Sequence, residues 1–278
     1  MACRPGRLDP GTIKILTGKR TRMKLILVTN DDGIHAPGLQ ALYEKSRLLG
    51  EAVIIAPEHD NSAASHSLTM NRPLRVRQIE RYIYTINGTP TDCVTIGIGK
   101  ILPQKPDLVI SGINPGPNLG DDVSYSGTVS AAIEATMLGI PAIAVSLAAE
   151  SEPYHYETAV KFIVKLAGLI LGKGLPKDTL LNVNIPNTTP ERIAGVAFTR
   201  RGRRLYEDAI KETYDPWGRR HYWIGGGTPS FDGGEDTDSA AIRVNKISIT
   251  PMHLDPTNYE ALKLLKESWA DILASSAK

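Results

Sequence analysis

Two adjacent carboxylates, Asp31 and Asp32, follow the first apolar run of the chain, and Gly33 after them allows a sharp backbone turn. Neighbouring side chains inside a strand point to opposite faces, but this alternation ends with the strand, so both carboxylates can reach one ion. A shared cation would relieve the repulsion that otherwise raises the pKa of one of them. The pair predicts a metal site, with solvated acids of a turn as the alternative.

Oxygen donors follow two other apolar runs. The polar loop 60–67 carries several hydroxyl groups, and Asn114 lies in the Gly- and Pro-rich loop 111–120. Because carboxyl ends of parallel strands meet at one edge of a sheet, we expect both loops near the carboxylate pair. A loop without function and an asparagine that only shapes a turn are the alternatives.

A phosphate-binding segment is indicated where Ser126, Gly127 and Thr128 precede a helix predicted over residues 129–138. The free amides and the positive dipole end of a helix that starts there would hold a phosphate group. Ser126 acting only as an N-cap is the alternative.

Several other chemistries lack the residues they need. A covalent aspartyl phosphatase would have two Asp separated by one residue, whereas in this chain they are adjacent. The histidines show no HxxxH or HExxH spacing, and the segment 97–100 lacks the glycine spacing and the Ser or Thr of a phosphate loop. Acids stand where the glycines of a dinucleotide fingerprint would follow the first strand.

The elements that must position these residues form a βαβ pattern from residue 24 to residue 146. Apolar runs at 25–28, 53–56, 108–110 and 142–145 alternate with helical stretches, and each run is apolar at consecutive positions. Such strands are typical of a doubly wound, mainly parallel α/β sheet with helices on both faces. We expect the run at 180–185 to end the sheet.

Two parts of the chain depart from this pattern. Between residues 74 and 86 two extended segments flank the polar residues 78–80, which indicates a small β excursion before a capped helix that begins near Thr89. Residues 193–256 contain short extended segments and a final strand at 246–250, and a terminal helix follows near 258–273. We expect this C-terminal extension to serve oligomer contacts.

Composition predicts a folded protein of 278 residues, with 41% hydrophobic and 22% charged residues. No apolar run is long enough for a membrane span, no secretory signal is visible, and two cysteines fit a reducing compartment, so we expect a cytoplasmic protein without a membrane partner.

The sequence of residues 1–22 indicates a flexible basic tail, followed by one domain over residues 23–278. The arginines at 200, 201, 203 and 204 indicate a solvated or subunit-contacting loop more than a nucleic-acid interface.

The assembled motifs resemble those of the SurE family of metal-dependent 5′-nucleotidases. The resemblance covers residues 23–273 and rests on NDDGIHAPG at 30–38, NSAASHSLT at 61–69, GTPTDCV at 88–94, SGINPGPNLGDDVSYSGTVSAA at 111–132 and SITPMHLD at 248–255. It implies a Rossmann-like fold and one Mg²⁺ or Mn²⁺ ion per subunit. Homodimers or homotetramers that exchange the C-terminal segment are also implied. The metal ligands that it implies are Asp31, Asp32, Ser62 and Asn114.

The main functional hypothesis is hydrolysis of nucleoside monophosphates by direct displacement, in which water attacks phosphorus in line. Asp31, Asp32 and Asn118 are the expected catalytic residues: Asn118 would contact the phosphate or leaving group, and Asp32 would orient the water. Activity on 3′-nucleotides and on short polyphosphates is left open. The principal alternative is a non-catalytic, metal-dependent nucleotide-binding regulatory protein.

Overall fold

The computed structural model describes residues 22–205, 210–224 and 230–276. Of the predicted tail over residues 1–22, only Arg22 lies within the described residues, and its guanidinium is 3.1 Å from the Asp107 carboxylate. Asp107 also accepts hydrogen bonds from the Lys24 ammonium and the Leu25 backbone N–H. The chain therefore contacts the rest of the fold from Arg22, the first residue that the structure describes.

Strands outnumber helices in the described residues. In chain order, the strands are β1 (Leu25–Thr29), β2 (Glu51–Pro57), β3 (Val76–Glu80), β4 (Ile83–Ile86), β5 (Leu108–Asn114), β6 (Ala142–Ala148), β7 (Thr179–Pro186), β8 (Val196–Phe198), β9 (Arg203–Leu205), β10 (Ile210–Tyr214), β11 (Arg220–Ile224), β12 (Ser230–Asp232) and β13 (Ile247–His253). The helices are α1 (Pro37–Ser46), α2 (Pro90–Ile96), α3 (Gly127–Met137), α4 (Tyr156–Lys173), α5 (Asp238–Arg243) and α6 (Tyr259–Ser276).

One large sheet has the strand order β3-β4-β2-β1-β5-β6-β7-β13-β8. Its neighbouring strands are parallel except for the pairs β3–β4 and β7–β13, which confirms the predicted doubly wound, mainly parallel sheet. The chain moves outward from β1 to β2 and β4 and then returns to β5 on the other side of β1. Ligands of such sheets bind at this reversal, beyond the carboxyl ends of the strands.

The sheet is covered by helices on both faces because its central strands are apolar at consecutive positions. Along β1, Ile26 and Val28 pack into the core layer of α1 and α4, while Leu25 and Leu27 pack into the layer of α2 and α3. Strict alternation places successive side chains on opposite faces. The continuous apolar run LILV therefore fills two core layers at once.

The sheet extends further than the sequence pattern indicates. The run at 180–185 does not end it, because β13 pairs antiparallel with β7 and β8 pairs with β13. The predicted polar linker at 78–80 is also wrong, since these residues lie within β3 and the chain reverses at residues 81–82. The predicted helix start is confirmed: Thr89 and Asp92 form a capping box at the beginning of α2.

The C-terminal extension contains polar contacts of its own and meets the main domain through others. Arg200 Nε donates to Asp236 Oδ2 over 2.9 Å, and Arg204 pairs with Asp122. Two residues of the arginine-rich stretch therefore serve contacts within the chain. None of the helices in the described part of the chain is long and apolar enough to cross a membrane.

The core position Ile110 on β5 gives a direct test of this packing. Ile110 is fully buried, so we expect Ile110→Ala to lower the free energy of unfolding by about 2–5 kcal/mol, measured by urea denaturation. The matched control Ile79→Ala lies on the edge strand β3, where the side chain is 44% exposed, and should change stability by about 0.5 kcal/mol or less. Equal losses would contradict the assignment of Ile110 to the core.

Candidate active site

The Asp31–Asp32 pair lies in the turn after β1, beside the reversal of strand order. Asn30 shapes this turn, because its Nδ2 donates to the carbonyl oxygen of Gly33 over 3.0 Å. Gly33 has a φ of +97°, a conformation that side-chain-bearing residues rarely adopt. The turn presents one deeply buried carboxylate, Asp31, and one partly buried carboxylate, Asp32.

The beginning of α3 packs directly against Asp31. Thr128 Oγ1 donates a hydrogen bond to Asp31 Oδ1. A methyl group at Gly127 would lie 2.8 Å from Asp31 Cβ, which is closer than carbon atoms pack, so this approach requires glycine. The positive end of the α3 dipole therefore stabilises the Asp31 carboxylate.

Two carboxylates of this turn, Asp31 and Asp32, lie near a third, Asp60, in the loop after β2. Burial raises the pKa of Asp31, and burial together with the charges of Asp31 and Asp60 raises the pKa of Asp32 to about 7. Asp32 Oδ2 and Asn30 Oδ1 are buried and have no hydrogen-bond partner among the described residues. Buried polar groups without partners are costly, so the turn fits a positively charged ligand.

The loop after β2, which carries Ser62, contacts the backbone of Asp31. The Asn61 backbone N–H donates to the Asp31 carbonyl oxygen over 2.8 Å. Ser62 donates to Asp60 Oδ1 through its backbone N–H and its hydroxyl, over 2.7 and 2.6 Å. The hydroxyl oxygen of Ser62 thus keeps its lone pairs for a cation.

A contact between His66, Glu134 and Thr95 is absent from the sequence-based prediction. His66 Nε2 lies 2.9 Å from Glu134 Oε2, and Thr95 Oγ1 donates to Glu134 Oε1 over 2.9 Å. The hydrogen bond to His66 is the main cause of a lowered pKa of Glu134. This contact attaches the loop that carries Ser62 to α3. His66 stands in the NSAASHSLT motif, but its partner is 68 residues away, so no local pattern joins them.

Asn114 lies at the end of β5, the strand that pairs with β1. Its Nδ2 donates to the Gly116 carbonyl oxygen over 2.7 Å, and its Oδ1 accepts no hydrogen bond from a described residue. The fixed amide leaves this oxygen available for a cation. Asn114 therefore keeps the donor atom that the predicted role requires.

Asn118 is held by neighbouring strands through both its side chain and its backbone. Its Nδ2 donates to Ser146 Oγ on β6 over 2.7 Å. On β7, Asn184 accepts from the Asn118 backbone N–H over 2.8 Å, and both Asn182 and Asn184 donate to its carbonyl oxygen. The position of Asn118 is consequently set by buried amides of the sheet.

The predicted phosphate-binding hydroxyls have different partners. Ser126 is the N-cap of α3, and its Oγ accepts from the Val129 N–H over 3.1 Å while its own hydrogen has no acceptor among the described residues. The hydroxyl hydrogen of Thr128 is used by Asp31. Phosphate binding by Ser126, Gly127 and Thr128 stays a prediction, in which Ser126 has the free hydroxyl donor.

The oxygen donors at this edge of the sheet differ in kind from a histidine- or cysteine-rich metal centre. Across residues 22–205, 210–224 and 230–276, no three His, Cys, Asp or Glu side chains group as a metal cluster. Two carboxylates, an amide and a hydroxyl form a mixed set of hard oxygen ligands, which suits Mg²⁺ or Mn²⁺. The donor chemistry thus fits the ion implied by the resemblance.

Comparison with known proteins gives one consistent result. The family model "Survival protein SurE" matches residues 26–208. The 5′-nucleotidase SurE of Geobacter sulfurreducens is 52% identical over 244 residues, which cover 88% of this chain and 93% of that protein. The protein of the same name from Pelobacter propionicus is 52% identical over 240 residues, covering 86% and 97%. The crystal structure of the SurE protein from Aquifex aeolicus superimposes with a TM-score of 0.78 at 44% identity and covers 87% of this chain and 98% of that one.

The hydrogen bond from Thr128 to Asp31 can be tested by Thr128→Val, which keeps the shape of the side chain and removes the donor. Because hydrogen bonds to charged groups stabilise by about 1.5–3 kcal/mol, we expect a loss of about 2 kcal/mol in urea unfolding with chelator present. The control Thr136→Val removes a hydroxyl of the same helix that donates to the Ala132 carbonyl over 2.8 Å, and should cost about 1 kcal/mol or less. A loss no larger than that of the control would refute the role of Thr128.

Proposed function

Because the chain belongs to the SurE family, we propose that it is a 5′-nucleotidase that hydrolyses nucleoside monophosphates to nucleoside and phosphate with the help of one divalent cation, Mg²⁺ or Mn²⁺. Relatives that are about half identical over most of the chain are 5′-nucleotidases, which supports the enzyme class. The proposed location is the cytoplasm, which the presence of only two cysteines supports. Activity on 3′-nucleotides and polyphosphate belongs to the same proposal and is decided by the substrate panel below.

The observation that carries the proposal is the buried Asp31 carboxylate between an acidic neighbour and the beginning of α3. Two buried or partly buried carboxylates side by side are stabilised by a nearby positive charge. The beginning of α3 carries a partial positive charge and N–H donors at the same place, beside Asp31. A site that binds a cation and an anion side by side is suited to a phosphomonoester. Structural acids of a surface turn would remain solvated, whereas Asp31 is 4% exposed.

Asp31, Asp32, Ser62 and Asn114 would hold the cation, because each presents an oxygen at the carboxyl ends of β1, β2 and β5. When bound, such an ion polarises a phosphoryl oxygen and lowers the pKa of water. Asp32 would accept a hydrogen bond from the attacking water and so aim it at phosphorus. Asp31 is kept in place by Thr128 and is unable to turn away.

The phosphoryl oxygens would meet donors from the beginning of α3 and from the loop after β5. The Ser126 hydroxyl and the backbone N–H groups at Gly127 and Thr128 would donate to these oxygens. Asn118 would contact the phosphate or the leaving oxygen from the loop after β5. Its backbone is fixed by Asn182 and Asn184, so little ordering is needed when substrate binds.

The test is phosphate release from a panel of nucleotides and polyphosphates with Mn²⁺, compared with chelated enzyme. We expect chelation to abolish activity and Asp32→Asn to lower kcat/KM at least about 1,000-fold, equivalent to about 4 kcal/mol. The control Asp178→Asn changes an exposed carboxylate far along the chain and should be neutral. Full activity under chelation would reject the cation, and tight nucleotide binding without phosphate release would favour the regulatory alternative.

We also propose self-association through the C-terminal extension. The residues of α6 that recur at helical spacing form an apolar stripe, and each is at least 38% exposed: Leu262, Leu265, Trp269, Ile272 and Leu273. The hairpin of β10 and β11 also exposes large apolar side chains, among them Trp217 and Trp223. Exposed apolar side chains grouped in this way are typical of an interface between subunits.

Light scattering after size exclusion tests this proposal. We expect the wild-type chain to have the mass of a dimer or tetramer, and Trp269→Glu to give a smaller species because it places a charge in the apolar stripe. The control Lys263→Glu alters an exposed position of the same helix outside the stripe and should keep the wild-type mass. A monomeric wild-type protein would reject the proposal.

A further inference from the structure

Two residues of the loop after β2 have a backbone conformation that side-chain-bearing residues rarely adopt. Ala63 has a φ of +59° and Ser65 a φ of +52°, whereas glycine is the residue that adopts such angles without strain. Ser62, one of the proposed cation ligands, directly precedes Ala63, and both residues are exposed. Strained conformations persist only where the surroundings hold them. Because burial does not fix this part of the loop, its contacts with neighbouring elements must do so.

His66 makes the stronger of two contacts that follow the strained segment. Its Nε2 lies 2.9 Å from Glu134 Oε2, and 33% of the His66 side chain is exposed, against 10% of that of Glu134. The other contact is a hydrogen bond from the Ser65 backbone N–H to the Tyr125 carbonyl oxygen, over 3.2 Å. Hydrogen bonds to ionised groups are about twice as strong as those between neutral groups. The loop is therefore held to α3 mainly through His66.

Glu134 is a fixed and ionised partner for this histidine. Its second carboxylate oxygen accepts from Thr95 Oγ1 on α2 over 2.9 Å, so both oxygens are engaged. The pKa of Glu134 is lowered, above all by the hydrogen bond to His66. Since an ionised carboxylate only accepts hydrogen bonds, Nε2 of His66 carries the hydrogen and donates it. The contact thus exists with a neutral ring as well as with a charged one.

The helix α3 contacts both Asp31 and the loop that carries Ser62. Thr128, in its first turn, donates to the Asp31 carboxylate. Glu134 lies about 9 Å further along the helix axis and accepts from His66. One rigid helix therefore sets the position of the loop relative to the carboxylate. Loss of the His66 contact would release the loop and leave the contact between Thr128 and Asp31 intact.

We propose that His66 is a positioning residue for the cation site, because its hydrogen bond to Glu134 keeps the loop after β2 in the conformation in which Ser62 serves as a ligand. The inference rests on the proposed function, since the cation belongs to that proposal. Without the bond, the loop relaxes from its strained conformation, and the cation must restore that conformation when it binds. Apparent affinity falls by the fraction of molecules that remain competent to bind. Once the cation saturates the site, the loop is restored and turnover is unchanged.

The experiment measures Mn²⁺ binding to the metal-free full chain by isothermal titration calorimetry. We expect His66→Ala to raise the Kd for Mn²⁺ about tenfold, while kcat for a nucleoside monophosphate at saturating Mn²⁺ stays within about twofold of wild type. His66→Gln, whose amide can still donate to Glu134, should keep the Kd within about threefold. The control His221→Ala removes another histidine–carboxylate contact, 3.4 Å from Nε2 to Asp215 Oδ2, and should leave the Kd unchanged.

Hydrogen exchange of the chelated protein separates a positioning role from a general loss of structure. We expect His66→Ala to speed exchange about tenfold in the peptide over residues 61–67 and to leave strand β6 at the wild-type rate. If β6 is also affected, Glu134→Gln takes the place of His66→Ala, because it keeps the shape of the side chain and removes its charge. This variant should raise the Kd for Mn²⁺ about threefold, since a neutral acceptor gives the weaker hydrogen bond.

Three results would overturn the role of His66. They are an unchanged Mn²⁺ affinity in the folded variant, a His66→Gln chain that binds Mn²⁺ as weakly as His66→Ala, and a loss of kcat at saturating Mn²⁺ as large as the loss of affinity. Each of them leaves the proposed function in place. A wild-type chain that binds no Mn²⁺ would instead reject the cation of the proposed function, and the role of His66 with it.

Discussion

Burial of two adjacent carboxylates at the end of β1, together with the repulsion between them, is the constraint on which the site depends. Asp31 is buried beside Asp32, and the charge of Asp60 acts on both, so every ionised form of the turn is costly until positive charge arrives. The beginning of α3 supplies part of this positive charge. It can approach Asp31 because Gly127 has no side chain. The proposed cation would supply the rest. Binding of the cation and folding of this turn are therefore expected to stabilise each other.

The doubly wound sheet places the short loops that surround these carboxylates at one edge. The loops after β1, β2 and β5 meet there, and each is attached by contacts that span many residues of sequence. Asp238 gives the clearest example, because its fully buried carboxylate accepts hydrogen bonds from the backbone N–H groups of Gly120 and Gly202. The C-terminal extension is thereby connected to the loop that carries Asn118. The extension proposed for assembly and the loop proposed for catalysis thus share one structural unit.

Much of the fold could be predicted from the chain because its signals are local. Consecutive apolar residues identify strands covered on both faces, and the capping residues Thr89 and Ser126 begin α2 and α3 where the sequence indicates. The error at residues 180–185 has a different origin. Strand β13 adds to β7 from more than sixty residues further along, and no periodicity in either segment reports a pairing of that kind.

Residue types and strand polarity were enough to specify the fold class and to place the proposed oxygen donors at strand ends. The partners of those donors could be read only from the folded chain. Thr128 reaches Asp31 across 97 residues, and His66 reaches Glu134 across 68. Such contacts depend on how the loops pack in space, and the pattern of a single segment carries no information about the segment packed against it.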